Sequence, residues 1–454
     1  MHVCDLLQLD SLHPQAGPGR RPSGGHALPS PVRAELDRLL AAGADAGTLL
    51  GRALAHLGSP ACHLLTSSGR TVARTASAPA LQPAAVVEKL AKADGSALRL
   101  ATEATPYDTR HLLPHEPGAV PLRVLHELAD VLTRQHERIL REEAEAARAA
   151  TRLLAHLDGA AARADADAPH TLLSACGLPE EGPWQIVVAA PGERSDGGGR
   201  GADAAGEGRG ATGAPAVGAL TEALHHLPGR PRFAVGTLPD GTAAAVFRPT
   251  GPREDGEDER GGDGGAAGGD RAGGDGGAAC GEGRGSGEGR GSGEDAELAA
   301  CWDRLAGLTP DVALHAGLGA AVHTAGQLAG GLTQARYALA VARATTPYAS
   351  LLTGPRDLTT LSTLLAGVPA EVRAAFAAKV LGPLAAGRDR STRMLLHTLE
   401  TYLAHSGSWA RTAEALRLHV NTVHYRIQRV QALTGRDLAR LDHRLDLYAA
   451  LHCR

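Results

Sequence analysis

The stretch LHVNTVHYRI, Leu418 to Ile427, sets polar side chains between evenly spaced aliphatics. His419 and His424 stand five residues apart, with Asn421, Thr422, Tyr425 and Arg426 between or beside them. Such groups serve metal ligation, acid–base or nucleophilic catalysis, or hydrogen bonding to a partner. A helical zinc site pairs ligands at i and i+4 and adds a third nearby, and neither feature is present. No carboxylate or thiol accompanies the histidines, so a catalytic dyad has no second member. What remains is a recognition surface, whose orientation the surrounding elements must set.

Trp409 to Leu416 (WARTAEAL) reads as a short helix that places small Ala413 beside Leu416 on one face. A four-residue connection follows, Arg417 to Val420, with Leu418 turned inward. Asn421 is the expected N-cap of a second helix running to Leu433. Val423, Ile427 and Val430, at i, i+4 and i+7, make one apolar stripe, Leu433 extends it, and Gly435 supplies the stop. Two crossing helices pack closely in this way, which is helix-turn-helix geometry with the second helix in a DNA major groove.

That packing turns Thr422, His424, Tyr425, Gln428 and Arg429 outward, within reach of base edges or phosphates. His419 and Asn421 stand at the helix N-terminus, where backbone amides and the dipole favour a phosphate. Arg426 flanks the stripe and is open to two roles, a phosphate contact or a tie to a neighbouring helix. Arg411 and Arg417 are candidates to clamp the DNA backbone, with a solvated side chain the alternative. Trp409 and Tyr402 read as core or capping residues.

Composition is consistent with such a partner. The 454-residue chain has net charge −4, but twelve acidic and five basic residues fall between Gly251 and Asp295. The remainder holds 41 basic against 38 acidic residues. From Ser391 onward there are nine Arg, six His and five acids, a mildly basic end. The six cysteines are scattered without a C-x-x-C pair, which fits a reducing cytoplasm and argues against a zinc ribbon or a disulfide framework. No apolar run approaches the ~18–20 residues of a membrane span, and Met1 to Asp10 lacks a secretory pattern. Lysine occurs only at Lys89, Lys92 and Lys379, an Arg, Ala and Gly bias that suggests a GC-rich bacterial genome.

Upstream, residues 1–30 read as a flexible tail and 31–158 as one unit. That unit has helices at Val32–Ala42 and Thr48–Leu57, then a strand, Ser-Gly turn and strand over Cys62–Val72. A long helix follows Pro121, over 121–157, with Leu122, Leu125, Leu128, Val131, Leu132, Ile139 and Leu140 at three- and four-residue spacing. It is a candidate dimer helix, or one whose face packs on its own domain. Residues 165–348 alternate strands and helices, as an α/β domain with a mixed sheet does. Trp184–Ala190 is a buried strand, and Pro239-Asp240-Gly241-Thr242 marks a hairpin. Two Gly-rich stretches, 191–213 and 251–295, carry almost no large apolar residues and read as disordered insertions. The GGD tripeptides at Gly261–Asp263 and Gly273–Asp275 belong to that background. Residues 349–454 read as helices only, an all-α end.

Leu395 to Cys453, with "TLETYL", "TAEAL", "HVNTVHYRI" and "LTGRDL" in order, closely resembles the C-terminal helix-turn-helix of PucR/CdaR-type bacterial transcriptional regulators. Gly317 to Ala342, "GLGAAVHTAGQLAGGLTQARYALAVA", resembles the GGDEF-related, non-catalytic α/β domain that precedes it there. The N-terminal unit is similar in outline to a GAF-like sensor with a signalling helix. The resemblance implies a multidomain α/β plus all-α chain: a GAF-like α/β unit, a degenerate GGDEF-like domain and a helical helix-turn-helix domain. It implies a cytoplasmic regulator without catalytic residues or cofactor, binding a double-stranded DNA operator as a homodimer under an unidentified small-molecule or protein effector. Two rivals belong to other classes. A nucleotide cyclase needs an acidic GG[DE]EF turn, for which the hairpin at Pro239–Thr242 is a poor substitute. An architectural protein resembling Fis shares the helix-turn-helix spacing but not two upstream domains.

Overall fold

A computed structural model of the chain describes residues 27–93, 97–101, 105–159, 168–194, 214–249, 292–386 and 389–454. It separates into two compact units, one built from residues up to Glu103 with Thr109–Arg138, the other from Ala104–Asp108 with Ile139–Arg454.

The first unit begins with α1 (Ser30–Ala41) and α2 (Ala46–Leu54). Asp45 caps α2 by accepting the Thr48 amide at 2.9 Å, and this bond holds its carboxyl below the usual range. β1 (Cys62–Thr66) and β2 (Thr71–Arg74) form the expected hairpin, closed by Gly69 at φ +99°. There α3 (Pro83–Ala91) passes so close that a Cβ at Gly69 would lie 2.6 Å from the Pro83 carbonyl. β3 (Leu98–Arg99) and β4 (Arg110–Pro114) complete an antiparallel sheet of order β2-β1-β4-β3. Alternation along β1 and β4 sends Leu64 and Leu112 toward α1, α2 and the start of α4 (Leu122–Leu157), while Leu65 and Leu113 meet Val86 of α3.

α4 is the candidate dimer helix; much of its stripe packs within the chain, while Leu122 is 66% exposed and Ile139 and Leu140 are half-buried. Val124, Leu125, Leu128, Val131 and Leu132 are buried in the core of the first unit. Ala150, Leu153, Leu154 and Leu157 are buried in the second. The division between units falls inside α4, at Arg138–Ile139, rather than after residue 158.

In the second unit α5 (Ala168–Ala175) leads to a five-stranded sheet of order β6-β7-β5-β8-β9. The strands are β5 (Gln185–Arg194), β6 (Phe233–Thr237), β7 (Ala243–Phe247), β8 (Val312–Leu318) and β9 (Leu351–Thr353). All pairings are antiparallel except β8 with β9. Val187 and Ala189 of β5 face α6 (Ala214–His225) and α7 (Ser292–Ala306). Ile186, Val188 and Ala190 face α4, α5 and α8 (Leu328–Thr345). Helices on both faces explain why Ile186–Ala190 of this strand are apolar at every position. The β6–β7 hairpin turns at Asp240-Gly241, with Gly241 at φ +84° and the Thr242 amide donating to Asp240 Oδ1 at 2.9 Å.

Three boundaries differ from the sequence reading. β5 runs through Arg194 and α7 starts at Ser292, so the edges of both Gly-rich stretches lie in regular structure. Their remainder, the GGD tripeptides and most of the N-terminal tail lie outside the described residues. β9 falls within the segment read as all-α, because a three-residue strand gains its place only by pairing with distant β8. Beyond it come α9 (Leu361–Ala366), α10 (Ala370–Leu381), α11 (Arg390–Ala404), α12 (Trp409–Leu416), α13 (Val420–Thr434) and α14 (Leu441–His452). These helices share one core, in which Leu395, Leu399, Ala413, Val423, Ile427, Val430 and Leu447 are buried.

Candidate nucleic-acid interface

Two capped helices fix the reading segment. Asp389 opens α11 by accepting the Thr392 amide at 2.6 Å, and its bonds to Thr392 keep its carboxyl low. Ser408 opens α12 by accepting the Arg411 amide at 3.4 Å. Only three residues, Arg417-Leu418-His419, separate α12 from α13, one fewer than the sequence suggested. Arg417 takes φ 53° and ψ 47°. The Leu418 amide then reaches back to the Ala413 carbonyl at 2.8 Å and the Arg417 amide to Glu414 at 3.0 Å. This is a Schellman closure with arginine where glycine is usual.

The N-cap of α13 is His419, not Asn421, since His419 Nδ1 accepts the Asn421 amide at 3.2 Å. Imidazole nitrogen replaces the usual side-chain oxygen, and Asn421 moves into the first turn. Val423, Ile427 and Val430 are fully buried, and Gly435 ends the helix at φ +67°. With the stripe inward, at about 100° per residue Asn421, Tyr425, Gln428 and Arg429 fall on the opposite face. All four are exposed, Tyr425 at 70%. Thr422 is half-buried on the flank. A phenol on a polar helix face offers a partner both an aromatic and a hydrogen-bonding edge.

His424 is not among the outward residues. Its ring stacks on Trp409, centroids 3.9 Å apart and planes 14° apart, and Trp409 in turn meets Tyr402 at 4.6 Å. Tyr402 is buried, and that burial raises its phenol above the ordinary range. Arg426 resolves toward the tie: half-buried, its Nη1 donates to Thr398 Oγ1 of α11 at 3.3 Å. Arg411, Arg417 and Arg429 are exposed, and none is paired with a carboxylate among the described residues. From Trp409 to Thr434 four arginines face one acid, Glu414, so the surface is positive. Among the described residues no three His, Cys, Asp or Glu side chains are grouped to hold a metal ion, and no helix is long and apolar enough to cross a membrane.

Residues 395–453 match the PucR C-terminal helix-turn-helix domain. An uncharacterized protein in the pkwA 5′ region of Thermomonospora curvata is 48% identical over 81 residues, 18% of this chain and 44% of that protein. Transcriptional activator PmfR of Paenarthrobacter nicotinovorans is 44% identical over 61 residues, 13% of each chain. The carbohydrate diacid regulator of Escherichia coli K12 is 43% identical over 58 residues, 13% of this chain and 15% of that one. The matches thus span less than half of each relative. A crystallised regulator of polyketide synthase expression from Bifidobacterium adolescentis aligns over 69% of this chain and 92% of its own. That alignment has 16% identity and a TM-score of 0.26, too low to assign a fold.

Proposed function

We propose that this chain, which carries a PucR-type helix-turn-helix at residues 395–453, is a non-enzymatic, cytoplasmic transcriptional regulator that binds operator DNA. The observation that carries this reading is the two-sided character of α13: a fully buried Val423–Ile427–Val430 stripe behind an exposed Asn421–Tyr425–Gln428–Arg429 face. In this reading those four residues and Thr422 meet base edges in the major groove. Arg411, Arg417 and His419 sit against phosphates, and Arg426 and His424 hold the helix in place. Two chains docked symmetrically would read half-sites about one helical turn, ~34–36 Å, apart.

Upstream, the reading assigns residues 31–158 as a GAF-like sensor with its signalling helix and 165–348 as a GGDEF-like scaffold without cyclase chemistry. Support for the latter assignment is the five-stranded sheet covered on both faces and the state of its hairpin carboxylate. Asp240 is engaged by Arg336 Nη2 at 3.0 Å, which leaves it poorly placed to ligate a metal. Selection of bound fragments from sheared bacterial DNA by the full-length chain tests the function. A regulator enriches a small set sharing a two-fold motif, whereas recovery without sequence preference would refute the reading and favour an architectural role.

A further inference from the structure

A groove of about 520 Å³ runs between α8, the β6–β7 hairpin and the connection from α9 to α10, a size suited to a small metabolite. Its polar lining is unbalanced: Arg336, Arg343 and Arg373 against the single carboxylate of Asp240. Asp240 is already taken by Arg336, which also pairs with Asp158. Arg343 donates one Nη2 bond to the Pro191 carbonyl at 3.0 Å and meets no carboxylate among the described residues. Arg373, half-buried, also lines the groove, and it shares one feature with Arg304 and Arg444. Its Nε is buried and has no hydrogen-bond partner. A buried guanidinium N–H without an acceptor is costly, and in this groove a bound anion would satisfy it.

The backbone adds to this field. α10 begins behind Pro369, which supplies no side-chain cap, and Pro369 and Ala370 line the same groove. The Val372 and Arg373 amides donate to the Pro369 carbonyl, so the Ala370 and Glu371 amides and the helix dipole are what favour an anion there. Glu371, the acid of that turn, is exposed and does not line the groove. The rest of the lining includes Leu339, Ala340 and Val368, so the site offers an apolar wall beside the cationic one.

We propose that this groove binds a small oxyanion-bearing metabolite, a phosphate ester or a carboxylate. Its anionic group bonds Arg373 and Arg343 near the start of α10. Because α8 packs on the sheet and α10 belongs to the core shared with α13, occupancy links the α/β part of the unit to the helices that carry the reading face. The site itself does not depend on whether α13 reads DNA.

Calorimetric titration of the full-length chain in chloride buffer, with inorganic phosphate and separately with citrate, tests it. One saturable site per chain for at least one of the two probes is the expected result. Arg373→Gln and Arg343→Gln should each weaken it tenfold or more. Arg390→Gln, an exposed arginine outside the groove, should not change it. Arg343 is itself exposed, so its variant reports on the site even where Arg373→Gln disturbs packing. A stronger response to phosphate than to citrate, or the reverse, identifies the headgroup and supports the assignment. Absence of saturable binding by both probes, wild-type affinity in both groove variants, or an equal loss in Arg390→Gln overturns it. Displacement of the anion by non-operator DNA also overturns it, by making the groove part of the DNA-contacting surface.

Discussion

Arg417 holds left-handed backbone at the α12–α13 turn, where a Cβ costs on the order of 1 kcal/mol. Arg417→Gly relieves that strain, so chemical denaturation should show a gain of a few tenths to ~1 kcal/mol. The same variant loses a guanidinium proposed to sit on phosphate. Its DNA affinity should therefore fall, and its log–log salt slope should drop by about one. Stability and binding would thus move in opposite directions; a parallel fall in both would assign Arg417 a packing role. His424 and Gln428 make the complementary pair. His424→Ala loses the stack on Trp409 and should cost ~1 kcal/mol of stability. Gln428→Ala should stay within ~0.5 kcal/mol of wild type while weakening DNA binding. His424 and Arg426 show where the sequence ran short. The stripe at Val423, Ile427 and Val430 is a local period and was legible. Trp409 is fifteen residues from His424, and Thr398 is 28 from Arg426, so only tertiary packing decides that both are half-buried against neighbouring helices.

At the level of elements, glycines in β8 and α8 have opposite meanings. A Cβ on Gly317 would run into the backbone of Ala335 and Leu339, and one on Gly319 would lie 2.5 Å from the Gly331 carbonyl. The strand carries glycine because α8 lies directly on it. Gly317→Ala should destabilise by ~1–3 kcal/mol or more in urea unfolding. Gly330 on α8 is exposed with open space around it, and Gly330→Ala should stabilise by ~0.5–1 kcal/mol. Equal effects of the two substitutions would contradict the close packing of α8 on β8. The hairpin at Pro239–Thr242 and the helices α10 to α14 were legible because turn chemistry and periodicity are local. The fate of α4 was not. Its stripe suits pairing with a second chain or packing within its own, and only the assembled cores show that Val124–Leu132 and Ala150–Leu157 are used internally while Leu122 stays exposed.

For the molecule as a whole, pH acts through the first unit. Burial, with Lys89, His115 and Arg74 nearby, lowers His63 below its ordinary 6.5, and burial lowers His111 beside Arg99. The unfolded chain therefore binds more protons than the folded one just below pH 6.5, so stability falls as pH drops through that value. Thermal unfolding at pH 7.5 and 5.5 should show the loss in the first unit, and His63→Gln should reduce it; a pH-independent transition would contradict this. Assembly is the second whole-molecule property: a half-site reader acting as a dimer should sediment at about 93 kDa, twice the 46.5 kDa chain, at micromolar concentration. The most direct measurement concerns the face of α13. Fluorescence anisotropy of a selected operator fragment, over a salt series, compares wild-type protein with Arg429→Ala. Loss of a base contact predicts a ~5- to 150-fold rise in Kd on the operator (~1–3 kcal/mol) and a much smaller change on scrambled DNA. Wild-type affinity for the operator at every salt concentration would contradict the claim that this face reads DNA.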